Sequence, residues 1–230
     1  MKLSENRGII DSGGDSMSFE MPKGYGQPVT SEEFELIKRN ILNEHITQLA
    51  DLSDNTQAVV NNAYISVIQH GIKYNTEIMH VIDINTGKYL INPVIGTAGG
   101  IKSDELKYVL QNAAKDSLIT IHNHSNNATF SIADIFTTES FESIKITSAI
   151  GHDGSIFELS VGNNRSIGID ELENDYVEIV DTLLETNYYR NYGSISEGDL
   201  IFRNDVINEI CDKYNWEYRR EYYYERPENN

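Results

Sequence analysis

Residues 118–134 constrain the fold of this chain more than any other stretch. They begin with an apolar run, rich in Ile and Thr, that predicts a buried strand. The run ends in His122 and His124, and residues two apart on a strand project from the same face, so both imidazoles can reach one point. After a polar loop, Ser131 predicts the N-cap of a helix that has Asp134 in its first turn. We therefore expect a strand–loop–helix corner at which two imidazoles and a carboxylate meet.

The three side chains at this corner form a ligand set that zinc accepts. Three protein ligands leave one position for water, which is typical of a catalytic zinc rather than a structural one. We therefore predict that His122, His124 and Asp134 bind zinc (Zn²⁺). Each feature alone also has an ordinary interpretation, because His-x-His pairs occur by chance on exposed strands and Ser-x-x-Asp is a common helix cap.

The motif also resembles that of a known enzyme family. His122-x-His124, six residues and then Ser131-x-x-Asp134 resembles the pattern of the JAB/JAMM (MPN-domain) zinc metalloproteases. The His-Asn-His opening is most similar to the branch of bacterial RadC-like and phage- or toxin-associated JAB domains. That family usually has seven residues in the loop and often a proline after the second histidine, where this chain has six residues and Ser125. Both differences lie in the loop.

The resemblance implies two catalytic residues besides the ligands. In JAB proteins a glutamate on or just before an early strand takes a proton from water and passes it to the leaving amine. Glu77 matches this glutamate by its position in the family pattern, and not by local spacing. The matching serine, Ser131, would donate a hydrogen bond to the oxyanion. The rival carboxylates are Glu105 and Glu139, and Glu77 can also be interpreted as a charged residue that marks the start of a buried strand.

Charge and cysteine content exclude several classes of protein. Lys and Arg number 18 against 36 Asp and Glu, so the net charge of −18 disfavours binding to nucleic-acid backbones and a role in DNA repair. Cys211 is the only cysteine, which excludes a disulfide framework and a thiolate metal cluster. No apolar run is long enough to span a bilayer and the N-terminus is polar, so we expect a cytoplasmic protein with no membrane or nucleic-acid partner.

Periodicity elsewhere in the chain predicts further helices and strands around the corner. Helices are expected from Thr30-Ser31-Glu32-Glu33 onward, from about Asn55 to His70 with Gly71 as the stop, from Ser103 to Ala114, and from Ser131 to about Glu142. Strands are expected from Glu77 to Ile84, Lys88 to Val94, Leu118 to His124, Ile144 to Ile150 and Ser155 to Val161. Residues 96–100 predict a loop.

The order of these elements predicts an α/β (α+β) fold, a mixed sheet flanked by helices with helical extensions at both ends. The order is similar to that of the JAB/MPN fold over about residues 55–163. We expect a flexible segment and a helix in 1–54, a JAB/MPN-like metallohydrolase domain in 55–167 and a helical extension in 168–230. From Trp216 to Pro227 aromatic and charged residues alternate, which favours packing over the domain rather than a protein-binding surface.

The other histidines give weaker signals. His80 lies within a predicted strand and is expected to pack against its neighbours rather than bind metal. His152 falls in a predicted hairpin turn and is expected to be solvated. His45 and His70 lie on or beside helices and have no partner at ligand spacing. The glycines at 96–100 lack the Gly-x-Gly-x-x-Gly form, so no nucleotide site is predicted.

The sequence thus predicts a JAMM-type zinc metallopeptidase that hydrolyses a peptide or isopeptide bond in a protein or peptide substrate. The amide substrate is implied by the resemblance, because the ligands alone fit a deaminase or an esterase equally well. An alternative is a catalytically silent JAB-like binding or structural module of a phage, prophage or toxin-associated protein. The shorter loop favours that alternative, and the intact ligand set argues against it. A metal-dependent nuclease is a third alternative, which the negative charge disfavours.

Overall fold

The computed structural model describes residues 29–43, 47–96, 100–124, 127–165, 167–186 and 195–222. Within these ranges the helices are α1 (Ser31–Asn43), α2 (Asp54–Tyr74), α3 (Asp104–Asn112), α4 (Ile132–Ser140), α5 (Ile169–Glu185) and α6 (Ile195–Tyr214). The strands are β1 (Ile78–Asp83), β2 (Lys88–Tyr89), β3 (Val94–Ile95), β4 (Leu118–His124), β5 (Ile144–Gly151), β6 (Ser155–Ser160) and β7 (Glu217–Tyr222). The strands form one mixed sheet, and the predicted α+β class is confirmed.

The histidine strand β4 lies in the middle of this sheet. The strand order is β2-β1-β4-β5-β6-β7, and β3 pairs with β1 beside β2. Strands β4 and β5 are parallel and joined through α4, whereas the other pairings are antiparallel. Open sheets with such helical crossovers commonly bind ligands at the carboxyl ends of their parallel strands. The carboxyl end of β4 is where the two histidines lie.

Successive residues of β4 face opposite layers of helices. Ile119 and Ile121 belong to an apolar core that includes Tyr64 of α2 and buried residues of α1. Leu118 belongs to a separate core with Leu106 of α3. By the same alternation, both histidines point away from α1 and α2, towards the layer that holds α3 and α4.

Helix α2 does not end at Gly71, as the sequence predicts. It continues to Tyr74, and Asn75, with a left-handed backbone at φ 51°, forms the C-cap by donating its N–H to the carbonyl of Gly71. Asparagine is the usual alternative to glycine in this conformation. The prediction was wrong because a glycine is only a local signal for a helix end, and this one has another structural reason to be there.

The predicted return strand 88–94 is interrupted. Within this stretch only two short strands form, β2 and β3, and they pair with opposite ends of β1. Between them lies Pro93, which lacks the backbone N–H that a continuous ladder requires. Helices α3 and α4 each end two residues before their predicted ends, which is within the usual uncertainty of helix boundaries.

The C-terminal region adds a strand as well as helices. Helices are present as predicted in α5 and α6, and β7 then pairs antiparallel with β6 along its length. Residues 217–222 of the aromatic and charged stretch after Trp216 therefore form a strand. The sheet thus contains strands from both the predicted central domain and the predicted extension.

Several predictions from the sequence lie outside the described residues. These are the N-terminal segment to residue 28, His45, residues 97–99 of the predicted loop, Ser125 and the tail after residue 222. Among the helices that the structure describes, none has the length and apolar content needed to cross a bilayer.

Candidate metal centre

The three predicted ligands converge at the corner between β4 and α4. The Nε2 atoms of His122 and His124 are 3.0 Å apart. Asp134 Oδ1 lies 3.5 Å from His122 Nε2, and Asp134 Oδ2 lies 3.5 Å from His124 Nε2. The ligand atoms of a tetrahedral zinc ion, each about 2.0–2.1 Å from the metal, lie roughly 3.3 Å from one another. The spacing of these side chains therefore fits the ligands of a single ion.

A capping box holds Asp134 in place. Its Oδ2 accepts hydrogen bonds from the Ser131 backbone N–H at 2.8 Å and from the Ser131 hydroxyl at 2.6 Å. In return, the Asp134 N–H donates to Ser131 Oγ at 3.3 Å. These bonds fix the carboxylate at the helix N-terminus while its Oδ1 faces His122. The capping and the ligand interpretations of Asp134 are thus compatible in one conformation.

The hydrogen bond behind His124 selects the tautomer that a metal requires. Its Nδ1 is 2.9 Å from the carbonyl oxygen of Ala128, which can only accept, so Nδ1 carries the proton. In the neutral imidazole, Nε2 is then left with a lone pair directed at the corner. Asn127, at φ 56°, makes the turn that brings Ala128 back towards the histidine. Backbone carbonyls of this kind commonly orient zinc-binding histidines.

His122 is more deeply enclosed. Its Nδ1 is buried without a hydrogen bond of ordinary geometry, although the backbone of Ser148 lies close enough to raise its pKa slightly. Burial dominates over this and over the charge of Asp134, and it lowers the pKa of His122 to about 4. His122 is therefore neutral at neutral pH, as a metal ligand must be.

His124 and Asp134 form an ion pair in the absence of a cation. Burial lowers the pKa of His124, but the hydrogen bond and charge of Asp134 outweigh it and raise that pKa to about 9. Burial acts to raise the pKa of Asp134, yet the charges of both histidines hold it well below its usual range. The Asp134 carboxylate, whose side chain is 21% exposed, is thus a partly buried negative charge that a proton on His124 balances. A divalent cation could replace that proton, so the residues present fit a zinc ion.

Glu77 lies at the edge of the same corner, one residue before β1. It is half-buried, and burial raises the pKa of its carboxyl. The charge of His124 lowers that pKa and the charge of Asp134 raises it, so the Glu77 carboxyl lies within electrostatic reach of two predicted ligands. Both rivals are placed differently: Glu105 is exposed on α3, and Glu139 is buried and accepts the backbone N–H of Ile167 at 2.9 Å.

Ser131 is exposed and acts as the N-cap of α4. Its hydroxyl donates to Asp134 in the structure, so donation to an oxyanion would require the hydroxyl to rotate. The capping part of the prediction is confirmed, and the oxyanion part stays a prediction.

The remaining described histidines differ in how well they were predicted. His80 is buried, with its ring against Tyr89 and its Nε2 3.0 Å from Ser66 Oγ, which confirms a packed residue. His152 was predicted to be solvated, which is wrong: it is only 8% exposed, and burial together with the charge of His124 lowers its pKa to about 4. The turn that carries His152 packs against the C-terminal part of α2, beside Asn123.

The C-terminal strand supports the corner through contacts between segments far apart in sequence. Tyr218 of β7 places its hydroxyl 2.8 Å from Thr129 Oγ1. Its ring also packs edge-on against Phe130, at 6.2 Å between centroids. Phe130 in turn lies 6.4 Å from the ring of His122. Thr129 and Phe130, in the part of the loop that the structure describes, are therefore held by Tyr218 of β7.

Comparison of the chain with protein-family models, with curated proteins and with solved structures finds no match. The function is therefore argued from the chemistry of the site and from the resemblance of its motif.

Proposed function

We propose that this protein is a zinc-dependent metallopeptidase that hydrolyses an amide bond in a peptide or isopeptide linkage. The observation that carries the proposal is the convergence of two buried imidazoles and a capped carboxylate, with Glu77 within electrostatic reach of His124 and Asp134. The amide substrate is drawn from the resemblance of the motif to the JAB/JAMM family. In this proposal His122, His124 and Asp134 hold the zinc.

Zinc held by these residues would acidify water and polarise a carbonyl group. The raised pKa of Glu77 suits a carboxylate that first accepts a proton and later returns it, because proton transfer works best when the pKa lies nearer the working pH. The Ala128 carbonyl keeps His124 in its ligating tautomer throughout. Ser131, at the exposed mouth of the corner, would turn its hydroxyl from Asp134 towards the developing oxyanion.

The test compares the metal content and the hydrolytic activity of four proteins. These are the wild type, His122→Ala, Glu77→Gln and the control Glu105→Gln, whose exposed carboxylate lies on α3. We expect about one zinc per chain in the wild type and in both glutamate variants, and none in His122→Ala. Hydrolysis of a quenched fluorescent peptide library and of lysine-isopeptide-linked peptides should proceed at the wild-type rate in Glu105→Gln, at a residual rate about 100- to 10,000-fold lower in Glu77→Gln, and not at all in His122→Ala.

Two results would overturn the proposal. A wild type that binds no zinc after reconstitution would remove the metal centre and favour a binding module. A Glu77→Gln variant as active as the wild type would remove Glu77 as the base even if zinc is present.

A further inference from the structure

Asn123 lies between the two predicted ligands in sequence but projects from the opposite face of β4. Its side chain is fully buried, at 0% exposure. Its Oδ1 accepts the backbone N–H of Ile78 at 2.9 Å, and its Nδ2 donates to the carbonyl of Thr76 at 3.2 Å. Because one partner only donates and the other only accepts, the orientation of the amide is determined. The two hydrogen bonds hold the backbone on either side of Glu77.

The register of the sheet explains why this amide is needed. The pairing of β1 with β4 ends at Met79, which lies opposite His122. Beyond that pair, β4 reaches the segment before β1 through the Asn123 side chain instead of through its backbone. On the other side of that segment, the N–H of Gly96 donates to the Glu77 carbonyl at 2.7 Å. The backbone around Glu77 is thus hydrogen-bonded from both sides. On the β4 side, the Asn123 side chain makes these bonds.

Helix α2 is shaped to accommodate this side chain. A Cβ atom on Gly71 would lie 2.4 Å from Asn123 Nδ2 and 2.2 Å from His152 Nε2, which is too close for either contact. Glycine within a helix is about 1 kcal/mol less favourable than alanine. The helix therefore carries a poor helix former at the one position where the Asn123 amide and His152 fill the space of a side chain.

We propose that Asn123 is a positioning residue that sets the place of Glu77 relative to the metal centre. The inference rests on the proposed function, in which Glu77 is the base. Strand β4 then carries two predicted ligands, His122 and His124, which project from one face. Asn123 projects from the other face and holds the backbone on either side of the proposed base. Because a displacement of about 1 Å in a catalytic group can lower the rate about 100-fold, such a clamp matters for turnover without contacting substrate.

The test uses two variants that disturb the clamp and one that does not. Asn123→Ala removes the amide, and Gly71→Ala displaces it from the helix side. Asn61→Ala is the matched control, because Asn61 is also a buried asparagine that donates to a backbone carbonyl, that of Ile41 at 2.8 Å, but in the core between α1 and α2. For each protein we would measure the exchange rate of the Ile78 amide proton by NMR, the zinc content, and kcat and KM on the peptide probes.

We expect the Ile78 amide to exchange faster in Asn123→Ala and Gly71→Ala than in the wild type, and at the wild-type rate in Asn61→Ala. Zinc content should stay unchanged, because Asn123 does not contact the ligand atoms. The kcat should fall about 10- to 100-fold with KM unchanged. In a Glu77→Gln background, Asn123→Ala should cause no further fall, because a clamp has no effect once the base is absent.

The outcomes separate the clamp from the proposed function. An Ile78 exchange rate that does not change in Asn123→Ala would overturn the clamp, whatever the activity. Faster exchange with a wild-type kcat, or a further loss of kcat in the Glu77→Gln background, would show a structural role only and would also overturn the proposal. A wild type that hydrolyses none of the probes would overturn the proposed function, and with it the purpose assigned to Asn123, even where Ile78 exchange changes as expected.

Discussion

The candidate metal centre and strand β7 are assembled over very different distances along the chain. The predicted ligands all lie within residues 122–134, and the two residues of the capping box that orients Asp134 are three positions apart. In contrast, Tyr218 and Arg219 of β7 contact Thr129 and Glu158, which lie 89 and 61 positions away. A short motif can therefore bring the predicted ligands together, while contacts from distant segments hold the structure around them.

The two faces of β7 reach different parts of the molecule. Tyr218 contacts Thr129 and Phe130 beside the candidate metal centre. Arg219 points to the other face and donates to Glu158 at 3.2 Å, within an ion pair whose carboxylate is 1% exposed. Glu158 also accepts the backbone N–H of Gln48 at 3.3 Å and the hydroxyl of Tyr64 at 3.4 Å. The last strand is therefore fastened into the core beneath α2.

We expect the largest effect from Asp134→Asn, which changes one of the predicted ligands. The amide can still cap the helix, but it supplies no negative charge to zinc. We expect zinc affinity to fall by more than about 1,000-fold, because even the outer partners of metal ligands are worth about 10- to 100-fold each. Asp104→Asn is the control, since Asp104 lies in the first turn of α3, beyond the N-cap Ser103. Competition with a chromogenic chelator measures both affinities, and equal values would contradict the assigned ligand.

The second prediction uses Arg219→Met to test the contact between β7 and the buried carboxylate of Glu158. This change leaves Glu158 buried without its cationic partner, so we expect the free energy of unfolding to fall by about 3–5 kcal/mol. Adding Glu158→Gln should restore part of that loss by removing the uncompensated charge. Glu217→Gln, on the exposed start of β7, should stay within about 0.5 kcal/mol of the wild type in urea unfolding. A similar loss in both single variants would contradict the role of the buried pair.

The difference between contacts near in sequence and contacts far apart in sequence also explains which features could be predicted. The convergence of His122, His124 and Asp134 follows from strand alternation and a helix cap, which are local rules. The role of Asn123 was missed because its backbone partners lie 45 and 47 positions away and leave no local pattern. Gly71 was misinterpreted for the same reason, since its cause is a contact with Asn123.

Strand β7 was not predicted from the sequence. It lies within the aromatic and charged stretch after Trp216, and its partner β6 could not be identified from spacing. Burial of His152 was likewise unpredictable, because a turn is normally solvated and this one lies against α2. These errors concern contacts between segments far apart in sequence, which periodicity within one segment does not report.

The third prediction separates capping from catalysis with two matched serines. Ser131 and Ser103 are both N-caps whose Oγ accepts a backbone N–H from the first turn. Alanine at either position should lower the free energy of unfolding by about 1 kcal/mol. Only Ser131→Ala should also lower kcat, by about 100-fold, because only that hydroxyl would donate to an oxyanion. Urea unfolding and peptide hydrolysis measure the two effects, and an equal kcat in both variants would leave Ser131 as a cap alone.

The smallest expected effect is the dependence of stability on pH that arises at the corner between β4 and α4. In the metal-free protein the pKa of His124 is about 9: burial lowers it, but the hydrogen bond and charge of Asp134 raise it more, to well above the ordinary 6.5. Because the folded pKa exceeds the unfolded one, the stability that this ion pair contributes is complete below pH 6.5 and is lost as the pH rises towards 9. His122 affects stability at acidic pH, because burial lowers its pKa to about 4. Its protonation therefore opposes folding as the pH falls from 6.5 towards 4.

We therefore expect the corner to make metal-free protein most stable near pH 6.5, with a loss of about 1–2 kcal/mol by pH 9. Zinc requires the neutral imidazole of His124, so zinc-loaded protein should lack this alkaline decline, and zinc affinity should rise with pH up to about 9. Thermal unfolding in EDTA and in zinc, from about pH 5 to 10, measures both curves. His124→Ala should lack the decline in either buffer. A decline of equal size in the wild type and His124→Ala would place its origin outside the corner, because His124 is the group at the corner whose pKa is raised to about 9.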